Sequence, residues 1–220
     1  MNQEFALHGH DLFGDVIKPK ASGPVAERFT LPPFTVLDAK SGDWLERKRA
    51  WLSIGMKSEV GRENVLCYRD AAEGQADAMG SAMRDRGGAV SIFDPVICEL
   101  AYRWFCSDGG QVIDPFAGGS VRGIVAAQLG LNYWGCDLRA EQIEANRAQA
   151  ETICGDLKPE WVCGDSMETL ASAPAADFIF SCPPYGDLEV YSDDPADLSN
   201  MEWHTFVAAY KRIILRAVGK

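Results

Sequence analysis

The run Phe178-Ile179-Phe180-Ser181-Cys182-Pro183-Pro184-Tyr185 ends an apolar segment in two prolines and an aromatic ring, with an acidic loop behind them. Prolines donate no backbone hydrogen bond and hold the chain stiffly. The Cys182 side chain and a carbonyl freed from a sheet ladder are then two acceptors fixed in one place. Acceptors that take the hydrogens of an exocyclic amine favour the pyramidal nitrogen that forms as the amine attacks, a stabilisation specific to the transition state. Tyr185 adds a flat face on which a ring can stack. Cys182, Pro183, Pro184 and Tyr185 are therefore the candidate catalytic residues. Tyr185 taken alone reads equally well as cover for a sheet edge.

A second cluster lies upstream, in Asp114-Pro-Phe-Ala-Gly118-Gly119-Ser120. Gly118 and Gly119 let a backbone come close to a ligand, and the helix behind them offers unpaired N–H groups with Ser120 as its cap. By itself the motif is equally a tight turn. Asp137 adds weight: it falls about twenty residues on, at the end of the next strand, where a carboxylate accepts ribose hydroxyls. Asp165 ends the strand after that. Three ligand-type groups at three successive strand ends point to a nucleoside site. A dinucleotide site wants G-x-G-x-x-G where this turn has G-G-S-V-R-G, and a P-loop wants a Gly-Lys-Ser/Thr that is missing. No cluster of lysine or arginine awaits a pyrophosphate. The common nucleoside cofactor that remains is S-adenosylmethionine.

The elements that must position these groups follow one another regularly. Asp94-Pro95 starts a helix, Asp as cap and Pro in the first turn. Ile97, Leu100, Ala101, Trp104 and Phe105 then recur at helical spacing. Strands are expected over 111–117, 132–138, 160–166 and 176–182, and helices over 120–130, 140–153 and 200–218. Strand–helix alternation of this kind gives an α/β fold, a parallel sheet with helices on both faces. Residues 1–30 read as a loosely ordered arm, 31–90 as an N-terminal extension with a basic stretch and a flexible connection, and 91–220 as the catalytic core.

Together, Asp114–Ser120 and Ser181–Asp194 resemble the cofactor and catalytic motifs of the amino-group DNA methyltransferases, closest to phage-associated DNA modification methylases. Ser91–Pro95 is similar to the cofactor-binding segment that precedes the glycine turn in several classes of that family, and the likeness covers about residues 31–220. It implies a Rossmann-like S-adenosylmethionine-dependent sheet and methyl transfer to an exocyclic amine of adenine or cytosine in DNA. By that likeness Asp114, Phe116, Gly118, Asp137 and Asp165 surround S-adenosylmethionine, with Phe93, Asp94 and Ser120 completing the set. Phe116 would pack on the cofactor, Asp137 take the ribose, and Asp165 lie near the adenine. Phe116 as core and Asp165 as a turn cap remain alternatives.

Two departures stand out. The family places Asp, Asn or Ser before the prolines, and this chain has Cys182, a weak acceptor. In methylases that attack a ring carbon the proline precedes the cysteine, so no covalent role is assigned to Cys182. The family's sheet also continues beyond the fourth strand, whereas here the sheet reads as truncated after that strand and its helix. A further C-terminal segment or a second chain is expected to complete it, and the isolated chain to be marginal or self-associating.

Composition bounds these readings. With 47% hydrophobic and 24% charged residues the 220-residue chain is an ordinary globular protein. No apolar run reaches membrane-spanning length, and the start lacks the order of a secretory signal. Seven cysteines with no C-x-x-C pair suggest reduced thiols and a cytoplasmic location, in a bacterium or phage-infected host by the resemblance. The net charge of −11 works against nucleic acid, but Trp44–Arg62 is locally basic, either a DNA contact or a solvated helix face. The same acidity suits the alternatives of a guanine in RNA or a protein glutamine, or an inactive nucleoside-binding module. His10–Asp15 resembles sliding-clamp peptides, and is otherwise a pair packing locally. His8 and His10 lack further ligands, so no metal is expected.

Overall fold

A computed structural model describes residues 37–40, 42–57, 60, 66–67, 93–186 and 189–220. The chain divides into two units, Met1–Ser41 and Gly42–Lys220. In the first, residues 37–40 end in a turn, with the Lys40 N–H donating to Asp38 Oδ1 at 2.9 Å.

The second unit runs α1 (Gly42–Ser53), β1 (Leu66–Cys67), α2 (Pro95–Phe105), β2 (Gln111–Asp114), α3 (Val121–Gln128) and β3 (Asn132–Asp137). It continues with α4 (Ala140–Ile153), β4 (Glu160–Cys163), α5 (Ser166–Thr169), β5 (Phe178–Ile179), β6 (Glu189–Val190) and α6 (Trp203–Val218). Strands β2 to β5 form one parallel sheet in the spatial order β4-β3-β2-β5, and β1 pairs antiparallel with β6 through Leu66 opposite Val190. The chain winds outward from β2 to β4, then returns to lay β5 on the other side of β2. This is the Rossmann-like arrangement, and its reversal places a crevice beyond the carboxyl ends of β2 and β5. Among the described residues, β2 is the only strand paired with β5.

The sheet separates two cores. Val112 faces one, with Trp44 and Trp51 of α1, Val96 and Tyr102 of α2, Ile124 of α3 and Ile143 of α4. Ile113 faces the other, with Trp134, Leu170 and the buried stripe Phe206, Ala209, Ile213 and Ala217 of α6. That stripe repeats at helical spacing, and each fully buried large side chain contributes about 1.5–3 kcal/mol.

Local signals explain the helix starts. Asp94 caps α2, its Oδ1 accepting from the Val96 N–H at 2.9 Å, with Pro95 in the first turn as expected. Ser120 stands at the N-cap position of α3 but does not cap it: its backbone is already helical (φ −68°, ψ −15°) and its side chain makes no cap bond. Its Oγ is buried without a hydrogen-bond partner, so the capping expected there is absent. Gly130 closes α3 at φ +74°, a left-handed position that favours glycine. Gly123 lets α3 lie directly on the Trp161 ring.

Cys98, Cys106, Cys136, Cys154, Cys163 and Cys182 are free thiols. Burial pushes the Cys136 thiol up to about 11 and Cys98 higher still, so both are inert at neutral pH. Among the described residues no helix is long and apolar enough to cross a membrane.

Candidate active site

One cavity of about 330 Å³ gathers residues that follow each strand of the parallel sheet. From the turn after β2 come Phe116 and Gly118, from the end of β3 Asp137, and from the end of β4 Asp165. The loop after β5 supplies Cys182, Pro183, Pro184 and Tyr185, and the start of α2 supplies Phe93 and Asp94. The size is at the lower end for small-molecule sites. Ten of the twelve sequence candidates therefore meet in one place, and the two that do not line it are Asp114 and Ser120.

The glycine turn is held from behind. Gly118 has φ +47°, in the left-handed region that a side chain disfavours. Its N–H donates to Asp137 Oδ2 at 2.9 Å, the Arg139 N–H donates to Asp137 Oδ1 at 2.9 Å, and its carbonyl accepts from Asn146 Nδ2 at 2.8 Å. Asp137 thus ties the turn to the end of β3 while lining the cavity, and each carboxylate oxygen can accept more than one hydrogen bond. Asp165 both lines the cavity and caps α5, its Oδ1 accepting from the Met167 N–H at 2.8 Å. The capping expected as one reading of Asp165 is therefore present, at a residue that also forms part of the cavity wall.

Asp114 lies behind the turn, with no exposed surface. Its Oδ2 accepts from Arg122 Nε at 2.6 Å and from the Tyr133 hydroxyl at 2.7 Å; its Oδ1 accepts from the Ser181 hydroxyl at 2.5 Å and the Phe116 N–H at 3.2 Å. Arg122 Nη2 donates to the carbonyls of Phe116 at 2.6 Å and Ala117 at 3.0 Å. Burial pulls the Arg122 pKa down, and the Asp114 charge outweighs it, keeping the guanidinium protonated. Burial likewise pushes the Tyr133 hydroxyl up, with Asp114 adding to the shift, so Tyr133 stays a donor. Sequence reading missed Arg122, Tyr133 and Ser181. An arginine inside the apolar first turns of α3 was the one available signal.

The proline-framed loop presents a partly buried Cys182 with Sγ 3.3 Å from the Tyr185 hydroxyl, and Tyr185 is 55% exposed. Behind it the acidic segment folds on itself. Buried Asp197 accepts from the Ser192 and Ser199 hydroxyls at 2.9 and 2.7 Å, and Tyr191, Asp197 and Leu198 add to the cavity wall.

The basic stretch is helical as far as Ser53, and two of its partly exposed cations pair with carboxylates at α2. Arg47 grips Glu99 through Nε at 2.6 Å and Nη2 at 2.5 Å, and Lys48 pairs with Asp94 at 3.0 Å. Trp51 Nε1 donates to Glu99 at 2.7 Å, so α1 is docked on α2 by charge as well as by buried indoles. His8, His10, the clamp-like segment 10–15, the connection 71–90 and the residues Ser91 and Ile92 lie outside the described residues.

No protein-family model matches the chain, and no curated protein does. Among solved structures it is similar to TrmN from Thermus thermophilus, at 19% identity over 58% of this chain and 35% of that one, with a TM-score of 0.46. It is also similar to magnesium protoporphyrin IX methyltransferase (ChlM) from Synechocystis PCC 6803 with bound SAM, at 14% identity over 82% and 74% of the two chains and a TM-score of 0.44. A TehB-like SAM-dependent methyltransferase from Corynebacterium glutamicum matches at 14% identity over 61% and 78%, with a TM-score of 0.36. The chain spans about a third of the length of the TrmN structure, 35%.

Proposed function

We propose that the chain is an S-adenosylmethionine-dependent methyltransferase acting on an exocyclic amino group of adenine or cytosine in DNA. One observation carries the reading: the proline-framed loop Cys182–Tyr185 shares a cavity with Gly118 and Asp137. The lining fits the cofactor in charge, since among the described residues Asp94, Asp137, Asp165 and Asp197 share it with only two cations, Arg122 and Arg139. A net negative wall favours a cation and disfavours a pyrophosphate. Bound there, S-adenosylmethionine supplies an electrophilic methyl group on a sulfonium. Asp137 would accept its ribose hydroxyls, Asp165 lie toward its adenine, and Phe116 pack on its apolar surface. The Pro183 carbonyl and Cys182 would take the hydrogens of the target amine, with the carbonyl the stronger acceptor. Tyr185, already exposed, offers the stacking face for a base turned out of its helix.

A second reading, the same chemistry on an amine of RNA or of a protein glutamine, is favoured by the net charge of −11 and by the engagement of Arg47 and Lys48 with carboxylates of the chain itself. Labelled methyl transfer from S-adenosylmethionine to duplex DNA, RNA and protein extract, followed by nucleoside analysis of the product, separates the two. Label in N-methylated adenine or cytosine is expected; label confined to RNA or protein would transfer the proposal to the second reading. No heat of S-adenosylmethionine binding by calorimetry would leave only a non-catalytic module. Pairing of β5 with a second chain is proposed alongside: sedimentation of the purified chain as a dimer would support it, and a monomer would count against it.

A further inference from the structure

The cofactor turn and the target loop are joined by one hydroxyl. Backbone pairing between β2 and β5 runs out at Phe180, whose N–H donates to the Ile113 carbonyl at 3.1 Å. The next link is a side chain: Ser181 donates to Asp114 Oδ1 at 2.5 Å and accepts from the Phe116 N–H at 3.0 Å. Its partners belong to one network: Asp114 also accepts from Arg122 and Tyr133, and Arg122 donates to the carbonyls of Phe116 and Ala117. Cys182, the first residue of the target loop, therefore leaves from a point set by the turn. Phe116 and Gly118 on that turn line the cavity. Whatever seats against Phe116 also steadies the N–H that Ser181 receives.

We infer that Ser181 is a positioning residue that couples cofactor occupancy to the order of the Cys182–Tyr185 loop, so that the target pocket is set once the cofactor is in place. The inference rests on the proposed cofactor reading of the cavity. Its physical content is a population shift. A loop held by a charge-assisted bond exchanges between latched and unlatched states, and an occupant that fixes the latch's partner raises the latched fraction.

Hydrogen exchange on the full chain, with and without S-adenosylmethionine, tests this. In the wild type the cofactor is expected to slow exchange at 116–120 and also at the Cys182, Tyr185 and Gly186 amides, the latter by about tenfold. Ser181→Ala keeps the slowing at 116–120 and loses it at the loop, while Ser181→Thr, which keeps a hydroxyl, restores most of it. Because the coupling is reciprocal, calorimetric Kd for S-adenosylmethionine should weaken in Ser181→Ala by the same factor of about tenfold, and kcat for methyl transfer to DNA at saturating cofactor should fall by about tenfold or more. Equal slowing at the loop in Ser181→Ala and wild type would overturn the coupling. So would a loss of kcat that merely tracks the folded fraction. If the wild type binds no S-adenosylmethionine, the cofactor reading fails instead, and the ligand-free proteins decide on the latch: loop amides that exchange equally in both remove it.

Discussion

Replacing Asp114 by asparagine keeps the side chain's shape and removes its charge, which isolates what that charge does. Four donors converge on the carboxylate: the Phe116 N–H and Ser181 hydroxyl on Oδ1, and Arg122 Nε and the Tyr133 hydroxyl on Oδ2. A carboxamide has one acceptor oxygen and one NH2 group. Whichever way it is turned, NH2 faces two of those donors. The two hydroxyls can rotate to accept, but the Phe116 N–H and Arg122 Nε cannot. With the oxygen turned to Phe116, the Arg122 guanidinium, 4% exposed, keeps its charge without a counter-charge. Breaking one side of a buried ion pair costs about 3–5 kcal/mol. For a chain of this size each kcal/mol moves Tm by about 2–4 °C, so Asp114→Asn should unfold roughly 6–20 °C lower. Circular-dichroism melting at pH 7 measures it. A second variant, Asp114→Asn with Arg122→Met, removes the stranded charge and should recover part of the loss. A single-variant drop of under 2 °C, or a double variant as low as the sum of its parts, would refute the claim that this ion pair anchors the turn.

Three further outcomes can be checked. In Gly123→Ala the new methyl overlaps the Trp161 ring and comes within 3.0 Å of Tyr133 Cε1; overpacking of about 1–3 kcal/mol should outweigh the helix gain of about 1 kcal/mol, so the urea midpoint falls. Burial pushes the Glu99 carboxyl up, but hydrogen bonds from Arg47, Trp51 and Arg103 prevail and hold it at about 2, against an ordinary 4.5. Because the folded pKa is the lower one, the stability Glu99 supplies is complete above about 4.5 and is lost as pH falls toward about 2. Glu99→Gln should flatten that limb of stability against pH, and an unchanged limb would contradict it. Tyr185→Ala, at a side chain 55% exposed, should leave Tm unchanged and raise KM for DNA about fivefold to a hundredfold, the range of one lost base–aromatic stack; a fall in Tm with KM intact would make Tyr185 an edge cover.

What the sequence disclosed was governed by how local each signal is. Asp94-Pro95 announces the start of α2 because capping is settled within three residues, and the alternation of apolar runs with glycine turns sets the order of strands. Asp137 and Asp165 were visible for the same reason: each ends its own strand. The role of Asp114 was hidden, because it depends on Ser181, 67 residues away, and on Arg122 turning inward from α3. Arg47 and Lys48 read as outward cations, since nothing in their own segment shows that Glu99 and Asp94 wait 52 and 46 residues further on. Ser120 misled in the opposite sense. Its residue type suits a cap, but its helical φ and ψ turn the oxygen away from the N–H groups it would have to reach.

Val112 and Ile113 are neighbours along the chain, yet they belong to different interiors. The sheet therefore acts as a bulkhead, and damage on one side need not flood the other. Trimming Ile124 above it and Ile213 below it should give losses that simply add, as expected for residues without shared contacts. One layer could then be rebuilt, by drift or by design, with little effect on the other, provided the members that also wall the crevice, such as Ile213 and Leu198, are kept.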